Sequence, residues 1–242
     1  MPTHIYLSPH VDDISFSLSA TIAKAPGGNL INIFSRSDFV ARPMSYLYLN
    51  KTKIDNVSEI RNREDEEWAN RLSLKRENLD LTDATGSGLK PLDLSDLSKE
   101  IKLVESRLVS LLKDMTKNSQ ESIIFCPMAI GGHRNHLSTL IAILNNYKEI
   151  SANKACVAFY EDLPYAANAQ GRLIGIDLFS KISRAKKLTR YVHNLSNDEY
   201  QRKIDLVNIY LSQHCNGANN ADFIPSDSKS PSPHEAFWMF ER

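Results

Sequence analysis

Glycine is scarce in this chain, with 9 among 242 residues. None of them builds a G-x-G-x-x-G or a P-loop pattern, which excludes the usual dinucleotide and NTP cradles. Cysteine is scarcer still. Cys126, Cys156 and Cys215 are odd in number and widely spaced. They form no CxxC and no disulfide framework, which fits a reducing compartment. There is no excess charge of either sign, because Lys+Arg and Asp+Glu both count 29. A balanced chain has no global field for phosphate backbones or anionic lipid, so no nucleic-acid partner is expected. The apolar runs are too short to span a bilayer, and no transmembrane segment is expected. The N-terminus lacks the basic and apolar regions of a signal peptide. A cytoplasmic location is therefore expected, and the sequon Asn50-Lys51-Thr52 carries no meaning. What remains is an ordinary globular mixture, 42% hydrophobic and 24% charged. Its length suits a single α/β domain over 1–242.

The elements alternate. HIYLSP, residues 4 to 9, reads as a strand ending at Pro9. Ile14, Leu18, Ile22 and Ala25 fall on one helical face, and Pro26-Gly27-Gly28 ends that helix. Leu30 to Phe34 reads as a doubly buried strand. Residues 37–57 show no period and read as a lid loop. Ser58 to Leu74 reads as a charged helix capped by Ser58, and Leu79 to Leu81 as a short strand. A periodic helix over Ser95 to Met115 precedes a strand at Ile123 to Cys126. A helix over His136 to Tyr147 and a strand over Ala155 to Tyr160 follow. The fold class expected is α/β: a Rossmann-like three-layer sandwich with a mostly parallel sheet. The C-terminal third is less regular. It offers a strand near Arg190 to Leu195, a helix from Ser196 to Gln213, a mobile loop over 216–233 and a closing strand over Glu235 to Phe240.

Chemistry concentrates in two places. Ser8-Pro9-His10-Val11-Asp12-Asp13 lies where the first strand turns into the first helix. Adjacent carboxylates repel, and a divalent ion relieves that repulsion. His10 and Asp13 can face one ion while Asp12 stays off it. The bland alternative is that one of the aspartates only caps the helix. Gly131-Gly132-His133-Arg134-Asn135-His136 follows the fourth strand, so both clusters reach the same sheet edge. His136 then completes a set with His10 and Asp13. Two nitrogens and one oxygen suit Zn²⁺ in an open, catalytic geometry. Asp12 is placed to take the proton of an attacking water. His133, if protonated, faces the developing oxyanion and leaving amine. Together these roles describe amide hydrolysis without a covalent intermediate.

This pattern, strand-Pro-His-x-Asp-Asp and later Gly-x-His-x-x-His, resembles the LmbE-like, or PIG-L, family of zinc-dependent N-acetylglucosaminyl deacetylases. Further segments extend the resemblance along most of the chain. They include Arg61-x-x-Glu64-Asp65, Leu79 to Asp83, Phe159 to Tyr165, and Lys203, Tyr210, Gln213 and Glu235-x-Phe237. It implies that His10, Asp13 and His136 bind Zn²⁺, with Fe²⁺ or another divalent ion as an alternative. Asp12 would be the general base and His133 the acid or oxyanion donor. Substrate contacts are expected from Arg61, from Asp83, and from Tyr160 and Glu161 at the end of the fifth strand. The substrate implied is a small N-acyl sugar or glycoconjugate.

Three departures stand out. Ile14 replaces the family's usual Glu, which implies altered surroundings for the ligands rather than a lost ion. Arg134-Asn135 replaces Pro-Asp, which is expected to loosen a histidine. Gly131 replaces a Tyr found in some members, leaving the oxyanion to His133. Two alternatives stay open at this point. One is an amidase acting on a non-sugar N-acyl metabolite. The other is a metal-supported binding protein with weakened catalysis. Tyr46, Tyr48 and Tyr165 are candidates for stacking on a sugar ring. His193, His214 and His234 read as structural, and Cys126 as a buried strand residue with nothing to activate it.

Overall fold

The computed structural model describes residues 2–41, 52–117, 121–152, 154–184, 187–213, 220–227 and 232–241. Its strands are β1 (Thr3–Ser8), β2 (Gly28–Asn32), β3 (Leu74–Asn78), β4 (Ser122–Pro127), β5 (Ala155–Tyr160), β6 (Leu188–Asn194) and β7 (His234–Phe240). Its helices are α1 (Asp13–Lys24), α2 (Lys53–Arg71), α3 (Leu97–Thr116), α4 (Arg134–Asn145), α5 (Tyr147–Ser151), α6 (Ala169–Ser183) and α7 (Asn197–Val207). The strands form one sheet in the order β3-β2-β1-β4-β5-β7-β6. The first five run parallel, and β7 pairs antiparallel with both β5 and β6. This is the expected three-layer α/β sandwich.

The central strands explain themselves chemically. Ile5 and Leu7 of β1, Ile124 to Cys126 of β4 and Val157 to Tyr160 of β5 are all buried. A parallel sheet covered on both faces needs such near-continuous apolar runs. Trp68 of α2 donates its indole N–H to Ser19 Oγ of α1 at 3.0 Å, tying two helices of one layer. Asn145 of α4 reaches Glu105 of α3 at 2.8 Å in the other.

Several boundaries differ from the expectation, each for a local reason. The third strand is Leu74–Asn78 and not Leu79 to Leu81. It is an edge strand with one buried residue, Leu74, so its LKREN sequence carries little apolar signal. The second helix begins at Lys53, with Thr52 as its cap at 3.3 Å from Asp55 N. Ser58 lies inside that helix and accepts from Ser37 N instead. The expected lid over 37–57 is thus shorter by the helix, and residues 42–51, with Tyr46 and Tyr48, lie outside the described residues. Helix α6 was unforeseen. Ser196 does begin α7, in a full capping box with Glu199, but the helix ends at Val207 rather than Gln213. Of the tract 216–233, Asn220–Phe223 is a 3-10 turn, and 216–219 and 228–231 lie outside the described residues, as do His214 and Cys215.

Candidate metal centre

β1 and β4 are neighbours, so the loops leaving them converge. After Ser8 the chain turns, and Asp13 Oδ2 accepts the His10 backbone N–H at 2.7 Å. Asp12 occupies the N-cap position of α1, yet its side chain makes no capping bond. The simple capping explanation therefore fails for Asp12, whose Oδ1 instead accepts from Arg61 Nη2 at 3.2 Å. His133 is the N-cap of α4, and its Nδ1 accepts from Asn135 N at 3.2 Å.

The decisive geometry is a triangle of donor atoms. His10 Nδ1 lies 3.1 Å from Asp13 Oδ2, which lies 3.2 Å from His136 Nε2. His136 Nε2 is in turn 3.4 Å from His10 Nδ1. A tetrahedral ion with bonds of about 2.0–2.1 Å separates its ligands by about 3.3–3.4 Å. The three atoms thus fit one divalent ion. Asp12 and His133 each belong to wider groupings whose donor atoms lie within 4.8 Å of one another.

The far side of each imidazole is also committed. His136 Nδ1 is 2.7 Å from Asp162 Oδ1, and Asp162 Oδ2 accepts from Ile130 N at 2.9 Å. His10 Nε2 is 3.1 Å from Asn135 Oδ1. Such partners set the tautomer and turn the other nitrogen toward a metal. The expected loosening at Asn135 is therefore corrected, because the amide oxygen holds His10. Asp162 was missed in favour of its neighbour Glu161. The available signal was the acidic pair at the end of β5, which does not say which member faces inward.

Burial raises the Asp12 carboxyl, with Asp13 adding to the effect and Arg61 and His10 opposing it. Burial also opposes ionisation of Asp13, but His136 and His10 outweigh it and hold that carboxyl well below its usual range. Burial pushes His133 down to about 2, with His10 and His136 adding to it. His133 Nδ1, which accepts from Asn135 N, is the unprotonated nitrogen, so the geometry favours the neutral ring over the protonated form that the sequence left open. With Nδ1 accepting, its N–H is on Nε2, where it can donate a hydrogen bond. Burial, with the Asp162 charge beside it, raises Cys126, an inert thiol as expected.

A cavity of about 620 Å³ opens over these groups, with His10, Asp12, Asp13, His133, Arg61 and Asp83 among its polar lining. Phe16, Phe39, Leu92 and Tyr165 supply apolar wall. Asp83 Oδ1 accepts from Gly86 N at 2.7 Å and Thr85 Oγ1 at 3.0 Å. Arg61 also donates from Nη1 to Ser37 Oγ at 2.8 Å. Tyr160 and Glu161 are absent from the lining, and both substrate-contact assignments are corrected. The Tyr160 hydroxyl donates to Leu7 O at 3.0 Å within the sheet. Glu161 is consumed by Arg172, Arg190 and Trp238. Ile14 is fully buried in the hydrophobic core. Gly131 has φ +93°, and a Cβ there would lie 2.5 Å from Tyr165 Cγ. The Tyr165 ring thus fills the space that a side chain at 131 would take.

This is the layout of a metal-dependent N-deacetylase. The family comparison makes the class specific. The model of the family described as PIG-L: GlcNAc-PI de-N-acetylase matches residues 5–146. The chain belongs to the PIG-L family. No curated protein matches its sequence. Among solved structures, a deacetylase–teicoplanin complex from teicoplanin biosynthesis has a TM-score of 0.69 at 17% identity, covering 98% of this chain and 97% of that one. The zinc-inhibited form of teicoplanin deacetylase Orf2 gives the same TM-score, 0.69, the same 17% identity and the same coverage of 98% and 97%. The N,N'-diacetylchitobiose deacetylase of Pyrococcus horikoshii has a TM-score of 0.50 at 15% identity, covering 88% and 70%. Likeness at such identity concerns the fold. No helix among the described residues is long and apolar enough to cross a membrane.

Proposed function

We propose that this enzyme removes the N-acetyl group of an amino-sugar or glycoconjugate, with His10, Asp13 and His136 holding Zn²⁺. One observation carries the reading. Three lone-pair donors face one another 3.1–3.4 Å apart, with both imidazoles oriented from behind. When bound there, a divalent ion supplies an activated water and a Lewis acid for the amide carbonyl.

The protein's own residues supply the rest. Asp12 is off the triangle and has a raised carboxyl, which suits a general base that takes the water proton. Arg61 orients Asp12 through Nη2 and reaches the cavity beside it. His133 donates an Nε2–H hydrogen bond to the developing oxyanion, and the proton that Asp12 takes from the water passes to the leaving amine. Asp83, in the same wall, accepts from a substrate hydroxyl. The cavity is within the usual range of about 300–1,000 Å³ for ligand pockets, which leaves room for a sugar beyond the acetyl group. Tyr165 and Phe39 offer apolar surface to a sugar face.

The test is metal analysis of the purified chain coupled to amine release from a panel of N-acetyl sugars. One divalent ion per chain is expected, with turnover lost to a chelator and restored by Zn²⁺. Turnover indifferent to chelation overturns the reading. Restoration by Fe²⁺ alone overturns the choice of zinc.

A further inference from the structure

Arg134 and Asn135, two positions where the chain departs from the family pattern, grip one residue. Glu100, in the first turn of α3, accepts from Arg134 Nε at 2.8 Å and from Asn135 Nδ2 at 3.0 Å. It also accepts from Ser138 Oγ at 2.7 Å. Asn135 carries this contact onward. A carboxylate only accepts, so the Asn135 amide nitrogen must face Glu100 and its oxygen must face away. On that side Oδ1 accepts from Ala84 N at 3.1 Å and meets His10 Nε2 at 3.1 Å. A backbone N–H only donates, so the amide is oriented from both ends. An amide oxygen only accepts, so His10 keeps its proton on Nε2 and presents Nδ1 to Asp13 and His136.

We infer that Glu100 is a positioning residue for His10, selecting through Asn135 the tautomer that offers Nδ1 to the metal. The inference rests on the metal-site reading above. Where the family pattern has an aspartate between the two histidines, this chain has a neutral amide. The carboxylate stands one residue further out, on another helix. The competing explanation is a staple: Glu100 could simply tie α3 to α4. A staple moves stability but has no reason to move the electronic state of His10.

The experiment measures Zn²⁺ affinity of the full chain by chelator competition, with thermal melts in parallel. Nitrogen-15 NMR of the zinc-loaded protein reports which His10 nitrogen carries hydrogen. In Glu100→Gln the new amide nitrogen must face either Arg134 Nε or Asn135 Nδ2, donor against donor. Affinity is expected to fall about tenfold or more, the range seen for groups behind metal ligands. Adding Asn135→Asp reverses the polarity of the relay. The Gln amide then donates to the new carboxylate, which accepts from His10, while the Gln carbonyl accepts from Arg134. This double variant is expected to recover most of the affinity and the His10 Nε2–H signal. Unchanged affinity in Glu100→Gln, or no rescue in a folded double variant, overturns the inference and leaves a staple. If the unmodified chain takes up no divalent ion, the metal reading fails and the inference falls with it.

Discussion

Glu161 and Asp162 are neighbours in sequence, and both are buried, yet they belong to opposite kinds of site. Glu161 faces the antiparallel C-terminal part of the sheet. It accepts from Arg172 Nε at 2.6 Å, Arg172 Nη2 at 2.9 Å, Arg190 Nε at 2.9 Å and Trp238 Nε1 at 2.9 Å. Burial opposes its ionisation, but Arg172, Arg190 and Trp238 together hold its carboxyl below the usual range. Glu235 is treated alike nearby. It accepts from Ala20 N at 2.9 Å and Thr21 N at 2.7 Å, just after the kink of α1 at Leu18, and pairs with buried Lys203 at 2.8 Å. Asp162 faces the parallel half and backs His136. There the partners of the buried acid Asp13 are two imidazoles, His10 and His136, and not arginines or lysines. His10, Asp13 and His136 point Lewis bases at one another. A buried acid surrounded by donors is complete. Buried bases that converge on a shared point are held by a cation between them, a proton or a metal ion. Burial and charge alone do not separate the two cases, whereas the sign of the partners does.

The largest effects should come from breaking the converging site. His136→Ala is expected to remove both bound metal and turnover. Asp12→Asn is expected to keep the metal and lower turnover by about 10²–10⁴-fold, the usual worth of a positioned base. Metal analysis beside amine release reads both. An Asp12→Asn chain that loses its metal stoichiometrically, or works undiminished, contradicts the division of roles. The saturated site should answer in the opposite currency. Glu161→Ala removes the buried acceptor that Arg172 and Arg190 share, leaving them paired with Asp227, and is expected to lower stability by up to about 3–5 kcal/mol. Its metal content should stay unchanged. Denaturant unfolding with metal analysis decides the matter, and lost metal at normal stability would move Glu161 into the catalytic site.

The same contrast explains what the sequence could reveal. The triangle was legible because repelling carboxylates beside a histidine, and two histidines after another strand, are costly without an ion. Asp12 was legible by its adjacency. Asp162 was not, because at a strand end the choice between two adjacent acids depends on which face the chain presents. The parallel strands β1, β2, β4 and β5 were legible from apolar runs. Edge strand β3 was hidden by its exposed polar residues. Helix α6 was hidden for another reason. Leu173, Ile174 and Leu178 are exposed, and Gly175 interrupts the pattern. A Cβ at Gly175 would lie 2.9 Å from Ile130, so this glycine serves close approach to the loop that carries His133. Asn135 looked like a loss because its compensating partner, Glu100, sits 35 residues away.

Asp65 sharpens the comparison at its smallest scale, because its donors are mostly neutral. Tyr210 Oη donates at 2.8 Å, Asn32 Nδ2 at 2.6 Å, and Arg76 Nη1 lies at 3.2 Å. Burial outweighs these partners, with Asp12 adding a little, and raises the carboxyl to about 7. In the unfolded chain it titrates near about 3.9. Between those values the folded state binds more protons than the unfolded one, so stability falls as pH rises from about 4 to about 7. Above that range the contribution is constant. One proton sets a limit of about 1.4 kcal/mol per pH unit on the slope. Asp65→Asn removes the titration. The stability difference between variant and parent, followed by urea unfolding from acid to neutral pH, should therefore shift in the variant's favour as pH rises. Parallel curves would mean that neutral donors saturate a buried acid as well as arginines do.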